Sequence, residues 1–113
     1  MQLDPAQLLW AFIIGHAVAD YPLQGDFLAK AKNHLKPIPG INPMIALKMH
    51  AFIHAGVVWI ITGSFFLSLF ESVAHTLIDY LKCDERISFT TDQILHVSCK
   101  VAYVVWIWNK LPV

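Results

Sequence analysis

The chain has 113 residues, of which 57% are hydrophobic and only 14% charged, with formal net charge zero and a mean hydropathy of +0.55. Soluble domains carry about a quarter charged residues, so this deficit points to lipid as the solvent, and the lack of a basic excess removes the electrostatic argument for a nucleic-acid partner. Two cysteines, Cys83 and Cys99, lie outside any CxxC spacing and exclude both a disulfide framework and a thiolate metal site.

Start and stop signals divide the chain into four long helices within a single transmembrane helical domain spanning residues 1–113. Asp4 as N-cap, Pro5 at the first helical position and Gln7 three residues after the cap open the first, which Pro22 closes near Tyr21. No basic segment precedes this apolar run and no small-residue cleavage site follows it, so it is expected to be a retained helix. A long connection follows, in which Asp26 is placed to cap a short interfacial helix, FLAKAKNHL, with Lys30, Lys32 and Lys36 as a solvated, lipid-facing edge. Asn42 and Pro43 repeat the start signal for a second long helix over 43–62, and Gly63 and Ser64 form a tight turn. Ser64 caps the third, SFFLSLFESVAHTLIDYLK, ending at Lys82. Thr90 and Gln93 fit a capping box opening the fourth, which runs to Asn109 or Lys110 before Pro112. Each span approaches the roughly 20 residues that cross a bilayer core of about 30 Å.

Within these helices the ionisable residues recur at a spacing of four: His16 and Asp20, His50 and His54, Glu71 with His75 and Asp79, Asp92 and His96. That spacing puts each group on one helix face. In an up-down-up-down four-helix bundle, the end of the first helix, the start of the second, the end of the third and the start of the fourth lie together, so the four stripes meet at one depth. Trp10, Trp59, Trp106 and Trp108 fall towards the opposite ends, as an interfacial aromatic belt does. Lys30, Lys32, Lys36, Lys48, Lys82 and Arg86 flank the polar end and only Lys110 the other. By the positive-inside rule, the protein is expected in the inner (cytoplasmic) membrane, multi-pass, with its site facing the cytoplasm and both termini outside.

Imidazole and carboxylate donors suit zinc first, and manganese or iron next. The expected metal ligands are His16, Asp20, His50, His54, His75 and Asp79, with His96 completing the set around one or two divalent ions. Glu71, one turn deeper, is expected to bridge metals or to take the proton of an attacking water, and Asp92 is the alternative base. Gln24 and Gln93 are placed to donate hydrogen bonds at the rim. A lone histidine in an apolar helix is more often a satisfied interhelical partner, and HAFIH alone is a weak signal. An ionised group at mid-bilayer, however, costs about 2.5–3.5 kcal/mol, so nine such groups without a function would be an expensive arrangement.

The elements HAVADYPLQ, the downstream Lys32, HAFIH, ESVAHTLIDYLK and TTDQILH, in this order and across nearly the whole chain, resemble the small bacterial and phage membrane family catalogued as domain of unknown function 3307. More distantly, HTLID resembles the HxxxD element of membrane-bound metal-dependent hydrolases, a resemblance that covers His75 and Asp79 only.

The expected function is therefore a metal-dependent membrane hydrolase acting on a phosphate ester or lipid headgroup. Membrane lipid and a phospholipid or phosphate-ester substrate are the expected partners, nucleic acid is not, and a homo-oligomer is compatible with the sequence. The competing classes are an ion- or proton-coupled transporter or channel, in which the same stripe is a relay, and a non-catalytic adaptor with a structural metal site. A di-iron oxygenase would need further histidine boxes that this short chain lacks.

Overall fold

Each helix boundary in the computed structural model, which describes residues 3–109, has an identifiable local cause. Helix α1 (Pro5–Asp20) opens on the expected capping box: Asp4 Oδ1 accepts from Gln7 N at 2.8 Å while Gln7 Oε1 accepts from Asp4 N at 3.1 Å. Helix α3 (Pro43–Thr62) starts where Asn42 accepts from Met44 N and stops at Gly63, whose φ of 67° is the left-handed conformation that glycine adopts without a Cβ penalty. Ser64 at once caps α4 (Phe65–Cys83) by accepting from Leu67 N, so α3 and α4 form a hairpin with almost no loop.

Two helix starts differ from the sequence-based expectation. Helix α5 (Phe89–Trp108) is capped by Ser88, which accepts from Thr91 N at 3.1 Å, and not by Thr90. Thr90 is inside the first turn, and the earlier start leaves the Gln93 amide free to turn inward while Asp92 lies in the favourable first turn. The short helix α2 (Gly25–Ala31) begins one residue before Asp26 and ends before Asn33, so Asp26 pairs with Lys30 across the helix surface at 3.0 Å instead of capping. The expected stop at Lys110 and Pro112 lies outside the described residues.

The four long helices close into a ring, α1 packing on α3 and α5, and α4 on α3 and α5, with α2 resting on α3. Consecutive long helices run in opposite directions, and the body measures 46 × 23 × 23 Å. Gly15 of α1 leaves room for the Val57 side chain of α3, since a Cβ there would lie 2.5 Å from Val57 Cγ1. Ser68 Oγ donates to the Ala55 carbonyl at 2.8 Å and ties α4 to α3. One end of the bundle is a dry core of Leu8, Phe12, Val58, Leu67, Tyr103 and Val104, with Phe12 edge-on to Tyr103. The other end is polar. There the long α2–α3 connection is pinned to the α4–α5 turn by His34, which stacks on Tyr80 and meets Asp84 Oδ1 at 2.7 Å. Hydrogen bonds to Arg86 and then His34 hold the Asp84 carboxyl below its usual range. Among the described residues one helix, α3, is long and apolar enough to cross a membrane.

Candidate metal centre

Four-residue spacing stacks side chains on one helix face, and the alternating helix directions bring the late turns of α1 and α4 level with the early turns of α3 and α5. The result is a buried column of five imidazoles, His16, His50, His54, His75 and His96. His54 stacks on His75 with ring centroids 3.8 Å apart, and His75 stacks on His96 at 4.1 Å. His50 meets both His54 and His75 edge-on, at 4.7 and 5.0 Å.

Asp20 faces this column from the end of α1. Its Oδ1 lies 2.8 Å from His54 Nε2 and 3.3 Å from His50 Nε2, and its Oδ2 lies 3.0 Å from His16 Nε2. Asp20, His50, His54 and His75 each offer a donor atom within 4.8 Å of the others, the spacing from which one cation can be held. Three nitrogen donors and one carboxylate are a suitable set for a divalent transition ion.

A second group, Glu71, His75 and His96, shares His75 with the first and meets the same distance limit. Its carboxylate is already engaged. Glu71 Oε1 accepts from Lys100 Nζ at 2.7 Å and from Tyr103 Oη at 2.8 Å, while Oε2 lies 3.0 Å from His75 Nδ1.

Asp79 is close by but belongs to neither group. Lys32 Nζ donates to its Oδ2 at 2.7 Å, Lys82 Nζ lies 3.1 Å from its Oδ1, and His50 Nε2 is 3.7 Å away. Asp92 lines the centre from α5, held by the Gln93 amide at 3.0 Å; its Oδ1 is buried and accepts no hydrogen bond, although His96 Nε2 is 3.2 Å away. Gln93 also bridges to His16 at 3.1 Å, and Gln24 donates to the Asp20 carbonyl. A cavity of about 70 Å³ opens here, lined by Asp20, Lys32, Asp79, Lys82, Asp92 and His96 among others. Glu71 does not line it.

The distribution of carboxylates and lysines favours a cation at Asp20. Four carboxylates, Asp20, Glu71, Asp79 and Asp92, face three ammonium groups, Lys32, Lys82 and Lys100, so one negative charge remains among the imidazoles. The lysines neutralise Glu71 and Asp79; Asp20 is left to the histidines. His16 Nδ1, His50 Nδ1 and Asp92 Oδ1 are buried with no hydrogen-bond partner, in a protein interior where such groups are normally paired.

All nine residues singled out in the sequence come together at this end of the bundle. Two lysines that the sequence reading did not assign to the site belong to it. Lys32, expected on a solvated edge with Lys30 and Lys36, is 4% exposed and inserted between the helices, whereas Lys30 and Lys36 are exposed as expected. The one mark of Lys32 in the sequence is its place among the elements of the family resemblance; no periodic pattern ties it to Asp79, 47 positions on. Lys100 sits one turn after His96 and so extends the α5 stripe by another four residues; continuing the spacing would have found it.

No curated protein and no solved structure matches this chain. Residues 8–112 match the family model described as protein of unknown function (DUF3307). With nearly its whole length covered by that match, the chain belongs to the DUF3307 family.

Proposed function

We propose that this chain is an integral membrane four-helix bundle of the cytoplasmic membrane that binds a divalent transition metal in its cytoplasmic half and hydrolyses a phosphate ester or lipid headgroup there. The observation that carries the reading is the Asp20, His50, His54 and His75 cluster, two members of which, Asp20 and His75, line a cavity that also presents Lys32 and Lys82. The ion, when bound, would supply a water acidic enough to attack at neutral pH. Lys32 and Lys82 suit the oxygens of a phosphoryl group, and Asp79 holds both ammonium groups at the cavity wall meanwhile. Asp92, which lines the cavity and whose Oδ1 accepts no hydrogen bond, is the better proton acceptor. Glu71, with both oxygens engaged, orients His75 instead.

The membrane part rests on an inverted distribution of polarity. The interior holds His16, His50, His54, Glu71, His75, Asp79, Asp92, His96 and Lys100, while Ile14, Phe52, Ile60, Phe70, Leu77, Ile94 and Val105 on the four long helices are exposed. Water as the solvent would leave a continuous apolar exterior without a partner. Helices α4 and α5 are less apolar on average than α3 because of Glu71, Asp79, Lys82, Asp92 and Lys100, and most of these point inward, away from any lipid. Trp59 with Phe65, and Phe66 with Trp106, pack at the far end as a headgroup-level belt would.

A transport path is disfavoured by the packing. The column of ionisable groups stops at Glu71, Lys100 and Tyr103, and the plug of Leu8, Phe12, Val58, Leu67 and Val104 beyond it contains no ionisable side chain among the described residues. The test is release of phosphate or headgroup from a panel of phospholipids and phosphate esters by detergent-purified protein. Wild type is expected to turn over at least one class, and Asp92→Asn is expected to keep its metal and lose about a hundredfold or more in rate. Metal-bearing wild type with no turnover across the panel would favour a structural metal site.

A further inference from the structure

The two overlapping ligand groups raise the question of how many ions the centre holds. We infer that it holds one, and that Lys100 is a built-in cation occupying the charge position of a second ion at Glu71, His75 and His96. The inference rests on the metal reading above and adds its stoichiometry and the role of the second group.

Three observations carry it. First, Lys100 is 3% exposed and its Nζ lies 2.7 Å from Glu71 Oε1, the carboxylate on which a second ion would depend. An ammonium group at that distance repels any divalent ion brought to the same carboxylate. Second, both Glu71 oxygens are committed: Tyr103 Oη joins Lys100 on Oε1, and His75 Nδ1 meets Oε2 at 3.0 Å. Third, a hydrogen bond from His75 Nδ1 to Glu71 leaves Nε2 as the nitrogen with which His75 can join Asp20, His50 and His54. That is the carboxylate–histidine–metal relation in which the outer carboxylate fixes the tautomer and raises the basicity of the ligand. The second group is thus the support of the first. Lys100 and Tyr103 anchor Glu71, Glu71 orients His75, and His75 serves the ion held by Asp20, His50 and His54.

Removing the ammonium while keeping a long apolar stem converts the support into a second site. In protein purified without chelator and titrated with Mn²⁺ or Co²⁺ in detergent, wild type is expected to bind about one equivalent, and Lys100→Met about two. The Mn²⁺ spectrum by electron paramagnetic resonance should be that of an isolated ion in wild type and of an exchange-coupled pair in the variant, where the second ion would displace the Nδ1 proton of His75 to solvent and the imidazolate would bridge the two. Lys100→Gln, which keeps a hydrogen-bonding end next to Glu71, carries the same expectation should Lys100→Met fail to fold. Glu71→Gln should keep one equivalent but weaken its binding by about 10- to 100-fold, the usual effect of losing an outer carboxylate. Two equivalents or a coupled spectrum in wild type would overturn the inference, as would a single equivalent in a folded Lys100 variant. Absence of any bound metal in wild type would instead overturn the metal reading itself.

Discussion

The two halves of the bundle are built from the same four helices but fill their interiors by opposite rules. At one end Leu8, Phe12, Val58, Leu67 and Val104 pack as an ordinary dry core. At the other, five imidazoles, four carboxylates and three lysines occupy the equivalent positions. The outer surface does not register the change, since large apolar side chains are exposed along both. The lesson is that the apolar half supplies a rigid frame whose stability is independent of any ligand, while the polar half is held by pairing, and each buried charge there is tolerable only as long as its partner is present.

The comparison is broken most severely by removing a large side chain from the dry end. Phe12→Ala should cost about 3–5 kcal/mol in unfolding free energy, because Phe12 is 1% exposed and its neighbours cannot fully collapse into the space. Its metal content per folded molecule should match wild type. Reversible denaturation in detergent with parallel metal analysis checks this, and metal loss in a folded Phe12→Ala protein would mean that the halves are not separable.

A change of similar or slightly smaller size is expected at the polar end from a lysine that sequence patterns assign to the surface. Lys32→Ala leaves Asp79 with Lys82 alone and should destabilise by about 3 kcal/mol, the lower range for breaking a buried pair. Lys36→Ala, four residues along and exposed, should stay within about 0.5 kcal/mol of wild type. Equal thermal shifts for the two variants would mean that Lys32 is solvated after all.

A smaller, condition-dependent effect should follow pH and chelation. Histidine ligands bind metal only when neutral, so protons compete with the ion and metal affinity falls on acidification. The sign is therefore fixed: metal-linked stability is present while the histidines are neutral and is lost as they protonate at lower pH. A chelator at pH 7.5 should remove about 2.7 kcal/mol from protein that had been held at a free metal concentration one hundred times its dissociation constant. The Phe12→Ala protein should lose the same amount. A metal affinity that stays constant as the pH is lowered through the whole range in which the protein remains folded would argue that the ion is not held by histidines.

How much of this was legible in the sequence depends on the range of the interaction. Helix starts at Asp4, Asn42 and Ser64 were readable because a cap acts within three residues, and the α3 boundaries at Pro43 and Thr62 fall where Pro43 and Gly63 demand. Ser88 and Thr90 are both competent caps, and choosing between them requires knowing that Asp92 and Gln93 must turn inward, which is a tertiary fact. The stripe of nine ionisable residues was readable because four-residue spacing and alternating helix direction suffice to bring them together. The division of labour among them was not. Asp79 looked like Asp20 in the sequence, each four residues after a histidine, yet Lys32, 47 positions earlier, occupies Asp79 while no lysine reaches Asp20 among the described residues. Partners contributed by a loop helix leave no periodic trace on the helix they serve.

The most direct test of the central claim is metal analysis of wild-type protein and His54→Ala, each purified in detergent without chelator or a histidine tag. His54 is 1% exposed, lies 2.8 Å from Asp20 and belongs only to the first ligand group, so its loss should empty the centre without touching the Glu71 support. About one equivalent of a single transition metal in wild type and close to none in folded His54→Ala is the predicted result. Metal-free wild type, or equal metal in both proteins, would contradict it.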